Sequence, residues 1–449
     1  MHDYQTTRAC RLNTLSPGES ALARVIARMR HITSFLGGWP GHSAWGYNDR
    51  VDLRVARSYP EPVRIAHVGS VVLGLCLLVG CRQIFGLDGP AHAADATEPG
   101  SDGATLDDSP TTDARECFGP AGWTVCVGSL ATGALVATGS IDTDSSPLCL
   151  PKQPASWSDA GQPASCIVAA TVITVEAGLR VTGTRPLVMV AIDTLTVSSL
   201  LDASSHVSNT AGPAANATAC AAFPSPPQAG GGNGGGGGGG ASFRTRGGDG
   251  GDGNGGGFVG GVAPGADASV PAALRGGCAG QTGGAGSTAS NGGVGGKGGG
   301  AIYLVAGTSI TITATGMVSA SGAGGSGGGS RSGGGGGGSG GMIVMAAPAI
   351  AANGARLSAN GGGGAQGTDA NQGLDGTDPD PATPTVPAAG APASGGSAGG
   401  IGYAVGSQAA NGGQSTGDGG GGGGGGGGVI LSSTLLGGGA VVSPPALPL

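Results

Sequence analysis

Apolar positions in this chain fall in short runs and not in helical stripes. From Cys117 onward, TVCVG, ALVATG, IVAATVITV, RVTG, LVMVAI and TLTVSS are rich in Val, Ile and Thr, and each is bounded by Gly, Pro, Asp or Ser. β-Branched residues between turn formers are a strand vocabulary. Beyond Cys81 no segment holds an apolar helical period over three turns. The pattern predicts an all-β chain.

The runs also recur. LVMVAIDTLTVSSLLDAS (187–204), AIYLVAGTSITITATGMVSASG (301–322) and MIVMAAPAIAANGARLSANG (342–361) share one order: apolar strand, small-residue turn, second short strand, turn, and a close of small residues. VILSSTLLGGGAVVSPP, from Val429, reads as a truncated last copy. A unit of about 20 residues, always interrupted at the same phase, is a solenoid signature. Alternation points Ile302, Leu304, Ile310, Ile312 and Val318 into the core, with Ile343, Met345, Ile350 and Leu357 stacked beside them. The C-terminal SPPALPL ends the stack, because Pro lacks the N–H a ladder needs.

Between the copies lie Gly-rich stretches at 210–300, 323–341 and 362–428. The 449 residues include 102 Gly and 28 Pro, with 10% charged and 3% aromatic residues. This composition excludes a solvated polyampholyte and a compact core built on large side chains. Fixing glycine is entropically expensive, so the stretches read as mobile loops leaving one edge of the stack. Deleting 370–395 is then expected to cost little. The other reading is extended polyglycine strands bonded along the stack. Collagen is excluded, since Gly does not recur strictly every third residue with abundant Pro.

One segment is strongly apolar. VGSVVLGLCLLVG (68–80) is too short to span a bilayer but fits a signal-peptide core. Arg50, Arg54, Arg57 and Arg64 precede it, and Leu78-Val79-Gly80-Cys81 closes it. That ending resembles a bacterial lipobox, which implies cleavage between Gly80 and Cys81 and acylation of Cys81. Residues 1–62 read as a disordered, misassigned start or an unusual leader, with a start at Val63 preferred, and 63–80 as the lipoprotein signal. Residues 81–115 read as the acylated Cys plus an acidic tether without apolar period. Next come the first solenoid coils (116–209), a Gly-rich insertion (210–300) and further coils (301–449) carrying insertions at 323–341 and 362–428. Residues 82–449 hold eleven Lys/Arg against twenty-two Asp/Glu, so there is no basic footprint for nucleic acid.

Six cysteines remain after Cys81: Cys117, Cys126, Cys149, Cys166, Cys220 and Cys278. An even number in an exported chain suggests up to three disulfides, with fifteen pairings open. Cys149 and Cys166 flank a Pro- and Ser-rich loop, Cys220 and Cys278 would close the first Gly-rich insertion, and Cys117 and Cys126 are left as a third pair. Without C-x-x-C or a Cys/His cluster, no zinc or other metal site is expected.

The search for chemistry returns little. GGDGGD, with Asp249 and Asp252, fits a calcium nonapeptide only in part. Asp375, Asp378 and Asp380 read as a solvated loop. Lys297 lies in GGVGGKGGGA with no Ser or Thr after it, which rejects a phosphate loop. His206 reads as a surface histidine with no nucleophile placed beside it. Trp123 and Trp157 read as core, and Asn216-Ala217-Thr218 as an uninformative sequon. The repeat strands carry only Asp193, Asp202 and Arg356 as charges, too few for a polysaccharide lyase or hydrolase. No catalytic residue and no cofactor is expected.

The lipobox, the acidic tether and copies such as GGAIYLVAGTSITITATGMVSASGAGG together resemble glycine-rich, β-helix-like lipoproteins of myxobacteria and related bacteria, over about 63–449. The resemblance implies a cell-envelope location, outer membrane or cell surface before inner membrane. It also implies a short right-handed parallel β-helix of the pectin-lyase type. It supplies no catalytic residues. The expected function is a lipid-anchored, non-catalytic envelope protein with a structural or adhesive role, its partners the membrane and cell-surface material such as polysaccharide. Two alternatives are a polysaccharide- or surface-binding module, for which TSITIT from Thr308 could supply a Thr row, and a carbohydrate-active β-helix enzyme.

Overall fold

A computed structural model describes residues 116–128, 133–207, 210–287, 290–437 and 439–449. The leader, Gly80, Cys81 and the tether lie outside the described residues. The described chain is mostly β, with long parallel sheets. Among the described residues the only helices are Ala155–Asp159 and a single 3₁₀ turn at Asn254–Gly256.

The repeat copies pair with one another. In a nine-stranded parallel sheet, Leu187–Val197 lies against Cys166–Val175 on one side. On the other side its first half pairs with Ala301–Ala306 and its second half with Ser309–Ile312. Ala301–Ala306 continues to Met342–Ala346 and then Val429–Ser432, while Ser309–Ile312 continues to Ala349–Ala351. A second sheet stacks six parallel strands: Gly139–Asp142, Leu179–Thr182, Leu200–Asp202, Met317–Ser319, Arg356–Ser358 and Val441–Ser443. Equivalent residues of successive copies therefore form columns. Leu187, Ile302, Ile343 and Ile430 are one; Leu201, Val318, Leu357 and Val442 are another.

The columns fill the main core between the sheets, where Ile302, Leu304, Ile310, Ile312, Val318, Ile343, Met345 and Leu357 are buried and Ile350 packs beside them. The opposite face of the first sheet has a core of its own. Tyr303, Val305 and Val344 lie under Trp123 and Trp157, joined by Phe243 and Leu274 from the first Gly-rich stretch. Tyr303 stacks on Trp157 with centroids 5.7 Å apart and meets Trp123 edge-on. Its hydroxyl donates to the Trp123 carbonyl, and burial pushes its pKa up. Disulfides Cys117–Cys126 and Cys149–Cys166 staple this N-terminal cover, and Cys220–Cys278 closes the first Gly-rich stretch. Such cross-links mark an oxidising compartment outside the cytoplasm. No helix among the described residues is long and apolar enough to cross a membrane.

The Gly-rich stretches are not the mobile loops that composition suggests. They form a second packed body, a bundle of extended segments bonded to one another. Gly235, Gly238 and Ala241 donate to Arg331, Gly334 and Gly337; Gly334, Gly337 and Gly340 donate to Gly420, Gly423 and Gly426; Gly420, Gly423 and Gly426 donate back to Gly235, Gly238 and Ala241. The residues between them bond to other neighbours: Gly237 and Gly240 reach Gly251 and Gly248, while Gly236 and Gly239 accept from Gly284 and Gln281. Each segment thus changes partner with a period of three. That is the period of a polyproline II helix, about 3 residues per turn with no internal hydrogen bonds, so every backbone group points outward to a neighbour.

Glycine is required here by space. A Cβ on Gly333, Gly334 or Gly335 would lie 1.9 to 2.4 Å from the carbonyl oxygens of Gly236, Ala365 and Val294 respectively, three different neighbours for three consecutive residues. Positions that face a neighbour's carbonyl this closely require glycine, while small residues such as Ala241, Ala365 and Ser339 are buried where the neighbour leaves room. At its edge one residue in three is released: GGDGGDG places Asp249 and Asp252 there, and GGVGGKGGG places Val294 and Lys297.

Candidate functional site

His206 sits where the second sheet meets the third Gly-rich stretch. Its Nε2 lies 3.0 Å from Asp202 Oδ2 and its Nδ1 3.2 Å from Asp378 Oδ2. Arg180 donates to the same Asp202 oxygen at 2.8 Å. Hydrogen bonding to Asp202, then Asp378, raises the His206 pKa to about 9, against the opposing effect of burial. For Asp202 burial works upward, yet the bonds from His206 and Arg180 hold it below the ordinary carboxylate value. A histidinium between two carboxylates has no free ring nitrogen for base catalysis or metal ligation. The expected surface histidine is therefore a half-buried electrostatic clasp that ties the third Gly-rich stretch to the first repeat copy.

Asp375 and Asp380 are exposed, as a solvated loop implies, and Asp378 is half-buried; all three also cap backbone N–H groups. Asp378 accepts from the N–H groups of Val207 and Gly324, Asp375 from Gly327, and Asp380 from Ala382. Asp249 and Asp252 do the same at the bundle edge, accepting from Ala263 and Gly260 at 2.8 Å. A bundle segment without a neighbour on one side has orphan N–H groups, and a carboxylate at every third position can satisfy them. Among the described residues no group of three His, Cys, Asp or Glu could hold a metal ion. Asp193 is exposed, and Arg356 lies beside Met317 and Val441 on the second sheet, so neither joins the clasp.

Small closing residues of each copy stack into a buried hydroxyl ladder. Ser204 and Ser319 share a hydrogen bond of 2.7 Å, Ser358 donates to Ser319 at 2.8 Å, and Ser443 donates to Asn360 at 2.6 Å. The Asn360 amide then donates to the Pro384 carbonyl. This ladder lines the seam where Leu200–Asp202, Met317–Ser319 and Arg356–Ser358 of the second sheet give way to the Gly-rich stretches.

The outer face of the first sheet carries the second arrangement of note. Thr174, Thr196 and Thr311 are in register on three adjacent strands, with Thr194 and Ser309 beside them two residues earlier. Their neighbours Ile173, Leu195, Ile310 and Ile312 point into the core, so alternation turns the hydroxyls outward. Adjacent strands lie about 4.8 Å apart, which fixes the spacing of the row. Val136 and Ala351 extend it at the two ends, and no charge interrupts it.

The sequence offered bonded polyglycine strands only as the second reading of the Gly-rich stretches, and the carboxylate caps were missed. The signal was present as the triplet period of GGDGGDG and GGVGGKGGG, whose Asp, Val and Lys recur every third residue. Comparison with protein-family models, curated proteins and solved structures gives no match.

Proposed function

We propose that this is a lipid-anchored, non-catalytic envelope protein, tethered through acylated Cys81, whose folded part serves a structural or adhesive role at the cell surface. In this reading the paired copies make up a short right-handed parallel β-helix of the pectin-lyase type, and the glycine bundle is a rigid body fused along it. The three disulfides support a location outside the cytoplasm. The observation that carries the adhesive reading is the flat Thr and Ser row across Cys166–Val175, Leu187–Val197 and Ser309–Ile312, a regular array of hydroxyls and methyls without a carboxylate in it. Such a face suits an ordered polysaccharide surface and does not supply an acid–base pair.

Two measurements test this. Cys81→Ser should leave the membrane fraction or stay unprocessed, and membrane retention of a processed Cys81→Ser protein would refute the anchor. The purified protein should co-sediment with insoluble polysaccharide such as cellulose or chitin, and Thr196→Lys with Thr311→Lys should abolish this. Release of soluble sugar from those particles would overturn the non-catalytic reading in favour of a carbohydrate-active enzyme.

A further inference from the structure

We infer that an open cleft at the junction of the sheets and the glycine bundle binds an amphiphilic anion, a single molecule with a carboxylate head on an apolar chain. The cleft has a volume of about 980 Å³. One wall is the turn at 182–186, the other is the segment 210–219, and Leu274, Arg275 and Lys297 of the bundle complete it.

Charge is the first argument. Residues 116–449 hold nine Lys/Arg and fifteen Asp/Glu. Three of those cations, Arg185, Arg275 and Lys297, line this cleft, and no carboxylate does. The acids that pair with the two arginines, Asp144 and Asp267, are not part of the lining. Arg185 also donates to the Thr143 carbonyl. A guanidinium has five N–H donors, so these contacts orient it without exhausting it. The lining itself thus presents cations and no carboxylate, an arrangement that suits an anion able to compete with the arginines' own acids.

The rest of the lining is more apolar than polar, although Thr182, Thr184, Thr210, Thr218 and Asn216 contribute to it. Ala211, Ala215, Ala217 and Ala273 are among it, and no aromatic ring is. Without a ring to stack on, the cleft is poorly made for a sugar face or a nucleobase. An alkyl chain needs only apolar area, which contributes roughly 25 cal/mol per Å² buried.

The wall is also pinned. Ala214 and Asn216 hold φ values of 56° and 60°, a left-handed backbone that residues with a Cβ seldom adopt. They stay there because Ala214 donates to Gly183 of the opposite wall, Asn216 donates to Gly277, and the Asn216 amide oxygen accepts from Gly298 at 2.8 Å. The Cys220–Cys278 disulfide follows directly. A cleft whose walls are bonded to each other loses little ordering entropy on binding.

The test is calorimetric titration of the full chain with monomeric dodecanoate, with dodecyl maltoside (same tail, neutral head) and acetate (head, no tail) as comparators. Dodecanoate should bind at least about tenfold more tightly than either, and added salt should weaken it. Arg185→Gln with Lys297→Gln should cost at least about tenfold in affinity. Ala215→Trp, which keeps every charge and fills the cleft, should abolish binding, so the idea remains testable if the charge variant folds poorly. Thr196→Lys with Thr311→Lys should leave dodecanoate affinity unchanged, which separates this site from the hydroxyl row. Equal binding of dodecyl maltoside, undiminished binding by Ala215→Trp, or binding to phosphatidylglycerol vesicles without binding of monomeric dodecanoate would each overturn it.

Discussion

In the sheets, Ile302, Ile343 and Ile430 fill the space between layers with side chains; in the glycine bundle, Gly238, Gly334 and Gly420 fill it with backbone. The sheets remove apolar area from water, which is the larger and less directional force. The bundle buries few large apolar side chains, Phe243, Leu274 and Tyr403 among them. It satisfies its peptide groups through inter-segment hydrogen bonds, each worth about 0.5–1.5 kcal/mol net, and gains dispersion from backbones in direct contact. Against this stands the high entropy of unfolded glycine. The two bodies also tolerate change differently. A core can absorb a swap of similar volume, whereas a bundle position facing a carbonyl accepts hydrogen alone.

This contrast can be broken most forcefully in the core. Ile312→Asp buries an unpartnered charge in the main cluster and should destabilise by several kcal/mol, about 3–5. Deleting 370–395, expected from sequence to be cheap, should now be comparably severe. That segment holds the bonds of Gly373 to Gly328 and Gly376 to Gly325, and it carries Asp378. Paired thermal melts decide the matter: a deletion variant melting like wild type would mean that the bundle contributes nothing to stability.

The staples come next. Cys149→Ser with Cys166→Ser opens a link between residues 17 apart and should cost roughly 3 kcal/mol in the chain-entropy model. Because this link holds the cover over Tyr303, near-ultraviolet circular dichroism should report the loss before the sheets melt.

A finer test lies within the bundle. A Cβ at Gly421 would sit 1.9 Å from the Ala398 carbonyl oxygen, while one at Gly417 would meet nothing within 4 Å. Gly421→Ala should destabilise by about 1–3 kcal/mol, and Gly417→Ala should change stability by less than about 1 kcal/mol. Equal melting temperatures for the two would show that the bundle yields at its centre as easily as at its rim.

The smallest effect is the clasp between the two bodies. The bonds to Asp202 and Asp378 hold the folded His206 pKa up to about 9, against an ordinary 6.5. A raised folded pKa gives stability that is complete below pH 6.5 and lost as pH rises toward 9. With its side chain 34% exposed, the contribution is discounted for solvent screening to about 1–2 kcal/mol. Denaturant midpoints should fall over that interval in wild type and stay flat in His206→Gln. Amide exchange near Gly324 should quicken over the same interval, because Asp378 caps that N–H.

Sequence alone determined the sheets. Alternation along 301–322 and 342–361 named the inward residues, because the period of two along a strand is local and one buried face fixes the register. The small closing residues were visible too, although their meeting as a ladder was not. Ser204, Ser319 and Ser358 are 115 and 39 residues apart, and only parallel stacking superposes them. Composition made the glycine stretches look mobile because their stabilising partners are invisible locally. Gly238 bonds to Gly334, and Gly334 to Gly420, across intervals that no window spans. Glycine carries no side chain to encode a partner, so a run of it is equally a linker or the interior of a bundle. What chose between them was tertiary: three stretches leave the stacked copies side by side, at a spacing where only backbone fits, and each supplies the hydrogen-bond partners the others need. The same convergence put His206 between Asp202 and Asp378, one acid four residues away and the other 172.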